Sequence, residues 1–188
     1  MVPKLRVVIA VILGTAPFAR PAPAQSLHHI GVSAGLGYTD PLDSVPGSGS
    51  GGFAEVEYTY RSVEWLTPRG YAGALITSSR DDCGAAVAPC DVSASVGLLG
   101  ARLRLMAPVP YVAPFVEGGA GVSLGSVETR VGEAVNESSS GVTFHIPVAF
   151  GLALGEFHEF ELGLRYLFHP RERQVGSAFA LGFGFAID

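Results

Sequence analysis

The chain has 188 residues, 48% of them apolar and only 15% charged, with a mean hydropathy of +0.36. About 25% charge is usual for a soluble domain, yet beyond the N-terminus no run reaches the roughly 18 apolar residues of a spanning helix, which excludes a polytopic helical membrane protein. Glycine is abundant at 25 residues, so the chain is apolar, glycine-rich and poor in charge.

Residues 1–24 read as a secretory signal peptide. Lys4 and Arg6 form a positive start, and Val7 to Ala16 form an apolar segment too short to span a bilayer. Ala22-Pro23-Ala24 supplies small residues for cleavage before Gln25. An uncleaved N-terminal anchor is the alternative. Cleavage removes Lys4, Arg6 and Arg20 and leaves nine basic residues, all arginine, against 17 acidic ones, a net charge of −8. An acidic, lysine-free chain offers nothing to nucleic acid or to an anionic membrane surface. Residues 25–188 fit one domain.

That domain alternates at period two, the mark of strands with two different faces. In the first segment Ile30, Val32, Ala34, Leu36 and Tyr38 oppose Gly31, Ser33, Gly35 and Gly37. In the second, Ala54, Val56, Tyr58 and Tyr60 oppose Glu55, Glu57, Thr59 and Arg61. The third, about Gly70 to Ser79, is short and its faces are ambiguous. The fourth runs from Val92 to Met106, with Leu99, Ala101, Leu103 and Leu105 against Gly100, Arg102 and Arg104. Its phase shifts near Leu98, where a bulge is expected. The fifth sets Val112, Pro114, Val116, Gly118, Ala120, Val122 and Leu124 against Ala113, Phe115, Glu117, Gly119, Gly121 and Ser123. The sixth, from Val142, carries Phe144, Ile146, Val148 and Phe150 opposite Thr143, His145, Pro147 and Ala149. In the seventh, Phe160, Leu162, Leu164, Tyr166 and Phe168 oppose Glu159, Glu161, Gly163, Arg165 and Leu167. The eighth places Phe179, Leu181, Phe183, Phe185 and Ile187 against alternating Gly and Ala.

Alternation alone leaves open which face is inside. A soluble lipocalin-like barrel alternates too, with its apolar face inward. A water-facing surface needs many charged and polar side chains, and here the second face is mainly Gly, Ala and Ser with sparse Glu and Arg. Such residues suit the crowded lumen of an eight-stranded barrel, leaving the Phe, Leu, Val and Ile face for lipid.

The connections alternate long and short. The long ones are expected at Asp40–Gly52, Arg80–Asp91 and Val127–Ser139, with a shorter one at His169–Gln174. Tight turns are expected near Val63–Pro68, Ala107–Pro110 and Gly155–Glu156. Outer-membrane barrels have short periplasmic turns and longer outer loops. Tyr38, Tyr60, Trp65, Tyr111, Phe157, Tyr166 and Phe168 lie near strand ends, as an aromatic girdle requires. Cys83 and Cys90, the only cysteines, are expected to pair as a disulfide. The ring it closes is worth about 2.5 kcal/mol by chain entropy. A metal site is the weaker alternative.

The signal peptide, the eight alternating segments and the terminal Phe183-x-Phe185-x-Ile187 pattern resemble the small outer-membrane barrels of the OmpA/OmpX-like kind. The resemblance covers nearly all of the domain and implies an all-β, eight-stranded, antiparallel up-and-down transmembrane barrel. It also implies that Phe183, Phe185 and Ile187 are read by the outer-membrane assembly machinery. Family members usually end in an aromatic residue, whereas this chain ends Ile187-Asp188.

The inward set gathers Glu55, Glu57, Glu117, Glu159 and Glu161 against Arg61, Arg102, Arg104 and Arg165. A salt-bridge network closing the barrel is the expected arrangement, because charges taken from water must be paired. A narrow path for ions or small solutes, or a conduit for apolar molecules, is the alternative. His145 and His169 are the histidines to weigh for catalysis, with Ser138, Ser139 and Ser140 as neighbours at the outer rim. The His-x-Ser-Asn signature of lipid A deacylases is missing, since Ile146-Pro147 follows His145 and Pro170-Arg171 follows His169. No P-loop, nucleophile elbow or zinc-protease motif occurs. Asp81, Asp82, Asp91, Glu128, Glu133 and Glu137 make acidic outer loops, either simply solvated or able to bind cations that bridge lipopolysaccharide phosphates. The expectation is a monomeric barrel in a bacterial outer membrane with a structural or surface-interaction role. Its surroundings would be membrane lipid and lipopolysaccharide. No enzyme activity, cofactor, metal or nucleic-acid partner is expected, a lipid A-modifying enzyme being the weaker alternative.

Overall fold

Eight strands account for nearly all of the described residues. The computed structural model describes residues 27–41, 49–61, 63, 65–82, 89–131, 134–170 and 174–187. The expected signal peptide, its cleavage point and Cys83 lie outside them. Cys90 lies on a strand whose side chains there are not described, so the disulfide belongs with them.

The strands are β1 (His28–Pro41), β2 (Gly49–Tyr60), β3 (Leu66–Asp82), β4 (Pro89–Met106), β5 (Tyr111–Val131), β6 (Ala134–Gly155), β7 (Phe160–His169) and β8 (Gln174–Ile187). Each pairs antiparallel with its sequence neighbour, and β1 pairs with β8 from His28↔Ile187 to Pro41↔Gln174, so the barrel is closed. Closure leaves no unpaired edge, and a sheet in lipid can leave none. His28 and Ile187, at the two ends of the barrel's chain path, lie at one rim, called here the terminal end. The four hairpins β1–β2, β3–β4, β5–β6 and β7–β8 lie at the far end.

Alternation puts small and charged side chains inside and bulky apolar ones outside. Leu36, Ile76, Val142 and Leu181 are each 58–67% exposed, while Glu117 and His145 are buried. Tyr60, Trp65, Tyr111 and Phe157 crowd the terminal end, and all four are exposed. Tyr38 and Tyr166 flank Ser177 in one register row nearer the far end, and Phe168 follows on β7.

Three sequence expectations change. First, β3 starts at Leu66, not near Gly70. Its outward residues are Pro68, Gly70, Ala72, Ala74 and Ile76, whereas Tyr71 and Leu75 are buried inside. Small residues outside and large ones inside invert the usual contrast, which hid the phase. Second, β4 has no bulge at Leu98. The register runs unbroken from Leu66↔Leu105 to Asp82↔Pro89 on one side and from Cys90↔Val131 to Met106↔Phe115 on the other. Leu98 turns inward to pack with Phe53, Tyr71, Leu75 and Leu167, and Leu99 turns outward. Two adjacent leucines on opposite faces read as a phase shift when hydrophobicity alone is scored. The shift seen among the described pairs lies between Thr129 and Arg130. Third, the expected loop Val127–Ser139 is mostly strand, because β5 and β6 continue as a paired ribbon to Val131 and Ala134. Backbone pairing persists there, with β4 alongside β5 as far as Cys90↔Val131, while the apolar alternation that marks a strand in the sequence fades.

The Gly155–Glu159 turn shows why glycine is needed at one end of β6. Gly155 has φ +101°, a backbone conformation that residues with a side chain rarely adopt. The turn closes with His158 N donating to Gly155 O at 3.3 Å.

Candidate functional site

The lumen is the candidate site. From the terminal end, β5 and β6 supply Ala113, Phe115 and Ala153, with Met106 packed against them. Above this floor the alternation aims Glu55 and Glu57 of β2, Arg69 of β3, Arg102 and Arg104 of β4, Glu117 of β5, and Glu161 and Arg165 of β7 into one layer. All eight are buried, at 2–8% exposure. Four guanidiniums meet four carboxylates, so the layer is neutral.

Arg69 is its hub. It lies 2.7 Å from Glu57, 2.9 Å from Glu117 and 2.9 Å from Glu161. Glu117 also holds Arg104 at 2.5 Å and Arg102 at 3.3 Å. Arg102 reaches Glu55 at 2.5 Å and Glu57 at 3.2 Å. Arg165 closes the circuit on Glu55 at 3.2 Å and Glu57 at 3.0 Å. Arg104 donates to both oxygens of Glu161 at 2.6 and 2.7 Å, a bidentate fork. Aromatic faces cover the cations. The Arg104 guanidinium sits 3.8 Å above the Phe115 ring and that of Arg102 sits 4.3 Å above Tyr71.

The structure thus brings together seven of the nine residues expected in the network. Arg61 and Glu159 are placed elsewhere. Arg61 follows the end of β2 and donates to Phe157 O at 3.3 Å, while Glu159 accepts from Phe157 N at 3.1 Å. Both brace the terminal-end turn. Alternation had assigned them inward, but a strand's phase ends with the strand. The missed member is Arg69, lost with the phase of β3. The signal was present, because the short β2–β3 turn sets Thr59 opposite Arg69, and its Nε donates to the Thr59 hydroxyl at 2.9 Å.

A second polar group lies above the charged layer. The Tyr71 hydroxyl is 2.5 Å from Nε2 of His145. Nδ1 of His145 is 2.8 Å from the Ser123 hydroxyl, which is also 2.8 Å from Nε2 of His169. All four residues are buried. The side chains of Ser138, Ser139 and Ser140 fall outside the described ones, and the serine between the two histidines is Ser123. Phe53, Leu75, Leu98 and Leu167 form one apolar cluster with Tyr71.

Two glycines make room for it. Gly100 and Gly121 face each other across β4 and β5. A side chain on Gly121 would begin 2.3 Å from the Tyr71 hydroxyl and 2.5 Å from Nε2 of His145, and one on Gly100 2.5 Å from that hydroxyl. Gly121→Ala is therefore expected to part Tyr71 from His145 and to destabilise the barrel by about 1–3 kcal/mol, the usual penalty of overpacking. Urea titration of the barrel in detergent checks this. An unchanged midpoint would mean that the row yields without cost.

No protein-family model matches the chain, and comparison with curated proteins gives no match. Solved structures do match. Neisserial surface protein A aligns at a TM-score of 0.58 and 15% identity, over 88% of this chain and 100% of that one. Ail, the attachment invasion locus protein of Yersinia pestis, aligns at 0.54 and 14% identity, over 86% and 99%. At such identities the likeness concerns the path of the backbone. It extends over essentially the whole of each neighbour. The chain therefore has the fold of the small bacterial outer-membrane barrels, eight antiparallel strands wound up and down and closed β1 to β8.

Proposed function

We propose that this chain is an integral outer-membrane protein whose barrel anchors and presents its far-end hairpins, with the lumen shut by the Arg/Glu layer. The observation that carries the reading is the inside-out distribution of side chains. Eight balanced charges lie in the lumen while Leu36, Ile76, Val142 and Leu181 stand exposed outside. In water such a face would be unstable; in hydrocarbon it is the required one. On this reading residues 1–24 export the chain and are cleaved before Gln25. The terminal end faces the periplasm, and Phe183, Phe185 and Ile187 serve assembly. Phe183 and Phe185 are exposed, with their ring centroids 6.3 Å apart. The partners are membrane lipid, lipopolysaccharide and whatever the hairpins meet outside the cell. The role is structural or one of surface interaction, with no chemical step.

Two measurements test this. Unboiled protein from the membrane fraction should migrate differently in SDS from boiled protein; a single unshifted band in a soluble fraction would remove the membrane placement. In planar bilayers the barrel should give no steady conductance. Regular current steps altered by Arg102→Leu would replace the closed lumen with an ion path.

A further inference from the structure

At the far end the wall of the barrel continues on one side of β6 and stops on the other. β6 has 22 residues and β7 has 10. Pairing between them begins at Ile146↔Phe168, whereas β6 stays paired with β5 as far as Ala134. The β5–β6 register is continuous from Thr143↔Ser123 to Glu137↔Thr129, and Asn136, nearer the tip, is skipped. Among the described residues no strand pairs with the other edge of Glu137–Thr143. Its backbone groups on that side form a template for a further strand. Edges are commonly guarded by charge, lysine or proline. The opposite margin of this sheet is guarded so. Past the last β2–β3 pair, Ser50↔Ser78, β3 carries Arg80, Asp81 and Asp82 in succession. Glu137–Thr143 holds no lysine, no proline and a single charge, Glu137. Val142 within it is 67% exposed, more than any other large apolar residue among those described.

We infer that the β6 edge, Glu137–Thr143, docks an extended, basic segment of a partner protein, which joins the sheet as an added strand where β7 stops. The inference rests on the reading that the far end is the presented end. Main-chain hydrogen bonds to the edge supply the affinity, and alternate side chains supply the selectivity. Alternate apolar residues of the added strand lie on the face of Val142 and cover it. The charge of the sheet selects the occupant. Its far-end strand segments carry Asp81, Asp82, Asp91, Glu128 and Glu137 against Arg80 and Arg130, five acidic residues to two basic ones. A basic strand is drawn to that surface, whereas a second copy of this chain brings the same negative excess and is repelled.

The test folds the full chain into detergent, with the heat-dependent gel shift reporting folding. The probe is a fluorescent peptide of about eight residues alternating valine and lysine, long enough to line the edge. Saturable binding of one peptide per barrel is expected, and the amides of Glu137–Thr143 should gain protection from hydrogen exchange. The same peptide with glutamate for lysine should not bind. The lysine peptide N-methylated throughout keeps its charge and side chains but loses its donors, and should bind at least about 10-fold more weakly. Replacing Val127–Ser139 by a two-residue asparagine-glycine turn, so that the hairpin closes at Ser126↔Ser140, should keep the gel shift and abolish binding. A barrel that shifts on heating but ignores the lysine peptide overturns the docking edge and leaves the membrane reading standing. Absence of the shift in the native chain removes both. Equal binding of the methylated or the glutamate peptide, or binding that survives the trimmed hairpin, also overturns the edge. A barrel dimer lost on trimming would overturn the basic partner in favour of a second copy.

Discussion

Arg69→Leu is expected to lower the unfolding free energy of the barrel by about 3–5 kcal/mol, the cost of leaving buried partners uncompensated. Arg69 lies within 2.9 Å of Glu57, Glu117 and Glu161, and all three are buried. Glu117 and Glu57 retain other arginines, and Glu161 retains Arg104, so the layer keeps its shape but carries a net negative charge. Low local dielectric makes that charge expensive. Arg69→Leu combined with Glu117→Leu restores neutrality and should recover a substantial part of the loss. Urea-induced unfolding in lipid or detergent, read by gel shift, measures both. If the single change costs under about 1 kcal/mol, the layer is wet enough to screen its ions as surface pairs are screened, and the lumen is not shut by it.

Leu181→Arg is the second large effect, expected at about 2–4 kcal/mol for an arginine near the lipid midplane. Leu181 is 63% exposed and pairs with Ala34 on one side and Leu162 on the other, in the middle of β8. In a water-soluble barrel the same change would be neutral or would improve solubility. The sign of the effect thus tests which solvent the apolar face meets. Ala180→Ser, one residue away and buried inside beside the Phe53 cluster, should be mild beside it, because it adds one small hydroxyl and no charge.

Arg69 and Leu98 show how far a pattern can be read. Alternation at period two assigned inside and outside for most of β1, β2, β5, β6, β7 and β8, because in those strands one face is bulky and the other small. It failed on β3, where Tyr71 and Leu75 fill the lumen and Gly70, Ala72 and Ala74 face outward. It failed again at Leu98, an inward leucine beside an outward one. Both failures have one cause. A narrow lumen must be filled, so some inward residues are large and apolar, and hydrophobicity then no longer distinguishes the faces. Only the register with β2 and β5 restores the phase.

Alternating segments, tight turns at one rim and the scarcity of charge determine the barrel from sequence alone, because strand count, closure and the facing of most strands follow from local periodicity and from the need to pair every backbone group. Which charges meet was decided by tertiary structure. Glu55, Glu57, Glu117, Glu161, Arg102, Arg104 and Arg165 were visible as inward residues, but their heights depend on the stagger between strands, which no single segment encodes. That stagger brings Arg69 to their centre and leaves Arg61 and Glu159 at the rim. It also sets Ser123 between His145 and His169, residues 22 and 46 positions away along the chain. Local patterning fixes direction, in or out, whereas side-chain chemistry in a closed lumen depends on position along the barrel axis, and only the closed circuit of eight registers supplies that coordinate.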